Sequence, residues 1–321
     1  MTQHRIKTNG MTHHHIETNG VTLHVVEMGE GPVVLFVHGF PDTWRGWRRQ
    51  MEAVVAAGYR AVALDMRGYG ESSAPEDEAL YTIFYSVGDL IGVLDFLAVN
   101  SAVIVGHDFG AAIAWNAAMM RPDRFRAVFA LSVPPIVPTA KSFFQQIREA
   151  GLVDFYMFRQ MRPEADAEWA DAETTLAGMY YWTSGQAPEE TRWDPLDPAR
   201  GLTRPAPMPR PSFVDLDDFN AAIADFQRNG FHAPLNYYRA IQPYFDMAHA
   251  FVGAKITQPS FFLVGNDDGM ERFRTTTRVD LDQVLTDLRG FVKLDGTGHW
   301  PQLEAMEVVN DRLVQFLNEI G

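Results

Sequence analysis

Apolar residues in this chain fall into short unbroken runs separated by longer stretches of helical periodicity. Positions 33–37, 60–64, 102–105, 127–131, 260–264 and 291–294 are mostly or wholly apolar, the pattern of strands buried on both faces of a sheet. At 47–57, 86–97 and 111–119 apolar residues return every three or four positions, which predicts helices with one face toward a core. Strand and helix alternate, so a mainly parallel central sheet with helices on both faces is expected, an α/β doubly wound arrangement. The rhythm stops after Pro134-Pro135-Ile136-Val137-Pro138 and resumes near Gln258-Pro259. The intervening segment is aromatic and helical in pattern. The expected organisation is therefore a first core part over 1–135, a helical lid over 136–255 inserted between core strands, and a second core part over 256–321. Within the lid, the proline-rich run from Thr203 to Pro211 reads as a stiff loop crossing it, because helical patterns flank it on both sides.

Near the start, Lys7-Thr8-Asn9-Gly10-Met11-Thr12 returns as Glu17-Thr18-Asn19-Gly20-Val21-Thr22. Each copy carries an Asn-Gly turn signal between apolar neighbours, predicting a local duplication of strands and not a solenoid. His13, His14 and His15 are adjacent there. Neighbours on a strand point to opposite faces, so the three are expected to be solvated strand residues and not ligands converging on one ion.

Composition narrows the possibilities. With 321 residues, 46% of them hydrophobic, the chain can bury one large core plus an insertion. A net charge of −14 without a basic block argues against nucleic acid and anionic membrane partners, leaving a neutral small molecule as the better fit. No cysteine is present, which excludes a disulfide, a thiolate metal site and a cysteine nucleophile. The N-terminal stretch, with Gln3, His4, Arg5 and Lys7, has no secretory-type apolar core, and no run approaches a membrane span. A cytoplasmic location is expected, and a homodimer is compatible with these features.

The segment Val103-Ile104-Val105-Gly106-His107-Asp108-Phe109-Gly110-Ala111 runs a β-branched stretch into a small-residue turn and then into a helical pattern. It reads as a nucleophile elbow, a strained strand-to-helix turn with glycines where Cβ atoms would clash. Here the residue lifted above the sheet is Asp108 and not a serine. A carboxylate attacks saturated carbon and leaves an alkyl ester that water can cleave, so the expected chemistry is opening of a C–O or C–X bond. A nucleophile–acid–histidine order follows in Asp108, the Asp267-Asp268 pair after the 260–264 run, and His299 after the 291–294 run. His299 is the expected base. Either adjacent carboxylate could orient it. Val37-His38-Gly39-Phe40-Pro41 supplies the other half of an oxyanion hole, with the backbone N–H groups of Phe40 and Phe109 as donors.

Together, His38-Gly39-Phe40-Pro41-Asp42-Thr43-Trp44, Asp65-Met66-Arg67-Gly68-Tyr69-Gly70-Glu71-Ser72, Gly106-His107-Asp108-Phe109-Gly110 and Gly298-His299-Trp300 resemble the α/β-hydrolase-fold epoxide hydrolases over nearly the whole chain. The resemblance implies the α/β-hydrolase fold and a hydrolase acting on ether bonds, converting a small apolar epoxide and water to a vicinal diol through an Asp108 ester, with neither metal nor organic cofactor. It favours Asp268 over Asp267 as the orienting acid. It also implies two lid tyrosines on the epoxide oxygen: Tyr238 in Asn236-Tyr237-Tyr238-Arg239, and Tyr156 with Pro163 seven positions on. A phenol of pKa ~10 can donate to a developing oxyanion while staying protonated at neutral pH. Pro41, Trp44 and Trp300 are placed about the substrate pocket.

The chain departs from the family pattern at Phe109, where many relatives carry Trp, at Met306, where proline is common, and at Asp42, where relatives often carry Glu. In the resemblance that acid helps to position water near His299; as a sequence feature alone it reads equally as a solvated loop carboxylate. Haloalkane dehalogenases of the same fold grip halide with indole N–H groups, and Phe109 has none. Haloacetate dehalogenases need arginines behind the nucleophile, where this chain has Phe109-Gly110-Ala111-Ala112. A non-catalytic ligand-binding protein on this fold is disfavoured because no member of the acid–base set is missing.

Overall fold

The computed structural model describes residues 5–8, 10–136, 139 and 141–321; Gln3, His4, Asn9, Val137 and Pro138 lie outside the described residues. Nine strands form one sheet: β1 (Arg5–Thr8), β2 (Met11–Thr18), β3 (Val21–Met28), β4 (Val33–Val37), β5 (Arg60–Leu64), β6 (Ala102–His107), β7 (Phe125–Leu131), β8 (Ser260–Gly265) and β9 (Leu288–Leu294). Their order is β1-β2-β3-β5-β4-β6-β7-β8-β9. The first three pair antiparallel and β3 meets β5 antiparallel, whereas every later pairing is parallel. The duplicated segment thus supplies an antiparallel edge of hairpins. Asn19 and Gly20 hold φ of 48° and 78°, the left-handed pair that a tight hairpin turn requires.

Alternation along the strands divides the core. Val33, Leu35 and Val37 of β4 pack on one face with Val62, Leu64 and Ile104, and Val34 and Phe36 pack on the other with Ala61, Ala63, Val103 and Val105. Burying each Val, Leu or Phe contributes about 1.5–3 kcal/mol. The core helices are α1 (Arg48–Ala56), α2 (Ile83–Phe96) and α3 (Phe109–Met120), within a few residues of the expected ranges. Between β7 and β8 lie α4 (Phe143–Glu149), α5 (Tyr156–Gln160), α6 (Ala165–Glu168), α7 (Ala172–Trp182), α8 (Leu216–Asn229), α9 (His232–Arg239) and α10 (Ile241–Met247). The proline-rich run is pinned to α7: the Trp182 indole donates to the carbonyls of Arg204 and Pro205, and the Arg204 guanidinium lies 4.0 Å over its ring. After β8 come α11 (Gly269–Phe273), α12 (Arg278–Asp282), α13 (Pro301–Glu304) and α14 (Met306–Ile320). The last buries Val309, Leu313, Phe316 and Leu317, one stripe at helical spacing, against the sheet face that carries Phe36 and Phe261.

The histidine run corrects one expectation. His14 is buried, with its Nε2 3.0 Å from Glu27 and its ring against Phe96 of α2. His13 and His15 are half-buried; His13 meets His24 at 2.9 Å, and His15 meets Glu71 at 3.1 Å. The strand is covered on both sides, so polar residues on it are partnered instead of solvated.

Candidate active site

Three loops at the carboxyl ends of parallel strands converge. Asp108 follows β6 and caps α3 with φ 54°, ψ −121°, a conformation rare for a residue with a side chain. It fits because its surroundings are glycine: a Cβ on Gly39 would lie 2.4 Å from the Asp108 Cβ, and one on Gly110 would lie 2.0 Å from the Val37 carbonyl. The Phe40 N–H donates to Asp108 Oδ1 at 2.8 Å. Phe109 opens α3, where first-turn N–H groups lack intrahelical acceptors.

His299 follows β9, with Nε2 3.5 Å from Asp108 Oδ2 and Nδ1 2.7 Å from Asp268 Oδ2. The other Asp268 oxygen accepts the Met270 N–H at the start of α11. Asp267 turns away to an ion pair with Arg192 at 2.6 Å, so the carboxylate that meets the imidazole is Asp268. The His299 carbonyl is held by His107 Nε2 at 2.7 Å and by the Ser132 hydroxyl at 2.8 Å.

The electrostatics follow from this packing. Burial works to raise the Asp108 pKa, but its contact with His299 and the Phe40 N–H hold it below the ordinary carboxylate range. Burial works to lower that of His299, yet Asp268 and Asp108 together lift it to about 10. His107, buried beside that cation, is pushed down to about 3 and stays neutral.

Tyr156 and Tyr238 are buried, their rings 6.1 Å apart and roughly perpendicular. The Tyr238 ring lies 5.2 Å from Phe40 and 4.8 Å from Phe109. Among the described residues neither hydroxyl has a hydrogen-bond partner, whereas Tyr237 donates to the Arg67 carbonyl and Tyr180 to Asp42. Burial raises both Tyr156 and Tyr238 well above the ordinary phenol value, so both remain donors.

The flanking residues separate. Trp300 stands behind His299, ring 5.1 Å away, its indole N–H donating to Thr183 Oγ1 at 2.7 Å. Pro41 is buried beside Phe40. Trp44, which opens a short 3-10 helix over Trp44–Trp47, packs instead on the opposite sheet face with Phe36 and Trp47, its ring 5.7 Å from His13. Asp42 is buried and not a solvated loop residue. It accepts the Thr43 N–H at 2.8 Å, and burial lifts its pKa to about 7. With Tyr180 and Gln302 it borders a cavity of about 500 Å³. The supports His107 and Ser132 were not identifiable as site residues by type, since each acts on the His299 carbonyl; the nearest signal for His107 was its place in the elbow.

Comparison with known proteins bears on the fold and the family. Residues 32–305 match the alpha/beta hydrolase fold family. The chain is 55% identical over 295 residues to an epoxide hydrolase of Caballeronia sordidicola, covering 92% of this chain and 90% of that one, and 36% identical to epoxide hydrolase A of Mycobacterium tuberculosis, covering 91% and 92%. A solved epoxide hydrolase from an endophytic Streptomyces superposes with a TM-score of 0.90 at 36% identity, covering 97% of this chain and 96% of that one. The chain belongs to the epoxide hydrolases of the α/β-hydrolase fold.

Proposed function

We propose that this enzyme opens a small apolar epoxide to a vicinal diol through an ester on Asp108, beneath a lid formed by residues 136–255. Phe40 holds Oδ1, so Oδ2 attacks the epoxide carbon. The carbon–oxygen bond breaks toward the ring oxygen, which Tyr156 and Tyr238 clamp with two O–H donors. The observation that supports this reading best is the pairing of an anionic, backbone-held carboxylate with two buried phenols whose hydroxyls are not otherwise engaged.

The proton balance closes on His299. It enters as an imidazolium because two carboxylates face it. Ester formation removes the Asp108 charge and lowers the imidazole's affinity for its proton, which passes by way of a tyrosine to the alkoxide. The neutral imidazole, oriented by Asp268, then takes a proton from water as the water oxygen attacks the ester carbon. The Phe40 and Phe109 N–H groups stabilise the resulting oxyanion on Oδ1. Collapse releases the diol, restores the Asp108 carboxylate and leaves the proton on His299. No step requires a metal or cofactor.

Intact mass of a His299→Gln variant after incubation with an aryl epoxide tests this, with the parent quenched within a single turnover alongside. Loss of the base is expected to trap an adduct of the whole epoxide mass on Asp108. An adduct formed only from a haloalkane, less its halide, would move the assignment to a dehalogenase, and absence of any adduct in both the variant and the quenched parent would defeat the covalent mechanism.

A further inference from the structure

The carboxylate of Glu304, in α13, sits where two distant pieces of backbone meet. Its Oε2 accepts the N–H of Gly298 at 3.0 Å and that of Gly185, in the inserted segment, at 2.7 Å; its Oε1 accepts the Trp300 N–H at 2.9 Å. The two residues flanking His299 in sequence are thus tied to one side chain. The same seam is closed by the His299 N–H donating to the Thr183 carbonyl at 2.8 Å and by the Trp300 indole on Thr183 Oγ1. Contact is close enough to demand glycine: a Cβ on Gly185 would lie 2.1 Å from the Gly296 carbonyl, and one on Gly298 would lie 2.3 Å from the Thr183 carbonyl. An ordinary helix cap would satisfy the first turn of its own helix; Glu304 reaches beyond α13 to Gly298 and Gly185.

We propose that Glu304 is a positioning residue, which locks the 183–185 segment to the His299 loop and keeps a negative charge beside the imidazole while the ester is hydrolysed. Burial raises the Glu304 pKa above its ordinary value, while the N–H donors of Gly298, Gly185 and Trp300 and the charge on His299 work to hold it ionised. The other groups facing that imidazole are Asp268, Asp108 and the neutral His107, with Trp300 meeting its ring edge-on and Tyr180 packed in turn on Trp300. From the inserted segment, Arg192 donates to the Gly185 carbonyl and pairs with Asp267. Ester formation cancels the Asp108 charge, so Glu304 and Asp268 then carry the carboxylate field that sets the base strength. This rests on the reading of His299 as base.

The test is single-turnover kinetics of Glu304→Gln against pH, with His299→Gln run alongside. Gln keeps the size but loses the charge and places an NH₂ against an N–H donor. Ester hydrolysis is expected to slow about tenfold, with alkylation little changed, kcat and KM falling together as ester accumulates, and the acid limb of hydrolysis moving about half a unit lower. Equal slowing of both steps, or an acid limb that stays in place, would overturn the proposal. Should Glu304→Gln not fold, Glu304→Asp retains the charge with a shorter reach. It is expected to slow hydrolysis with the acid limb unmoved, and undiminished hydrolysis or a moved limb would overturn the proposal. Adduct in His299→Gln together with unaltered Glu304→Gln defeats only the role of Glu304; no adduct in either His299→Gln or the quenched parent defeats the reading beneath it.

Discussion

Asp42→Asn tests whether the buried carboxyl beside the site carries the free energy its surroundings imply. Asp42 lies almost wholly out of water, with the Thr43 N–H at 2.8 Å and the Tyr180 hydroxyl at 3.4 Å as its hydrogen-bond donors. Burial lifts its pKa from 3.8 to about 7. The folded state therefore binds the proton more tightly than the unfolded one. Stability is fully present below the unfolded value and falls as pH rises toward the folded one, by about 1.4 kcal/mol per unit. Over the three or so units between them the loss comes to about 4 kcal/mol, a large fraction of the ~5–15 kcal/mol that holds a typical domain together. Asparagine keeps the acceptor for Thr43 and cannot ionise, so it escapes this loss. Melting temperatures of both proteins from pH 4.5 to 8, scanned at one rate, are expected to diverge in favour of the variant by on the order of 5–10 °C. A constant difference across that range would show that Asp42 titrates as an ordinary surface acid and refute the reasoning. A parallel fall in ester hydrolysis with alkylation unchanged would give Asp42 a role in placing the attacking water.

Asp108→Ala should abolish turnover while leaving the circular dichroism spectrum and melting temperature near those of the parent; an active alanine variant would end the covalent scheme. Tyr238→Phe is expected to slow alkylation by about 10–100-fold and ester hydrolysis much less, whereas Tyr237→Phe, whose hydroxyl serves the Arg67 carbonyl, should leave the ratio of the two steps unaltered; stopped-flow with a chromogenic epoxide reads both. Because the His299 proton supply depends on a pKa lifted to about 10, alkylation should hold through neutral pH and decline as pH rises through that value. Alkylation that instead climbs above pH 10 would remove His299 as the proton's source. Arg67→Met strands Asp89, which the guanidinium grips through two bonds of 2.7 and 2.6 Å in the core, and should cost about 3–5 kcal/mol by urea denaturation.

Much of this architecture could be read from local signals. The apolar runs at β4 and β5 fell on their strands to the residue because a strand buried on both faces leaves little room for polar residues: β4 has none and β5 only Arg60, at its half-buried start. The elbow at Asp108 was legible because its strain demands glycines at fixed offsets. What stayed hidden depends on contacts distant in sequence. The burial of His14 requires α2 and Glu27 to close over it; Asp268 was favoured over Asp267 by family likeness, but the contact that draws Asp267 aside comes from Arg192, some 75 positions earlier. Trp44 was misplaced for the same reason: its motif neighbour Phe40 holds Asp108, but the indole itself packs in the core of the other sheet face with Phe36 and Trp47. Tyr156 and Tyr238 could be nominated by family likeness; the engagement of the Tyr180 and Tyr237 hydroxyls elsewhere sets those two apart, whereas the buried Tyr69 hydroxyl also lacks a partner among the described residues.

The inserted helices enter and leave the sheet through a single connection, between β7 and β8, while Asp108, Asp268 and His299 hang from β6, β8 and β9. Such wiring makes the insertion an exchangeable cassette: recombination at the two joints could bring in a differently shaped roof, and with it a different appetite for substrates, while Asp108, Asp268 and His299 stay on their strands. The exchange has two tolls, the first being a pair of phenols placed as Tyr156 and Tyr238 are. Any incoming cassette must also present a small-residue hook equivalent to Thr183-Ser184-Gly185, or the histidine loop beneath loses its fastening. Chimeras should therefore sort by that tripeptide more sharply than by their overall likeness to the parent.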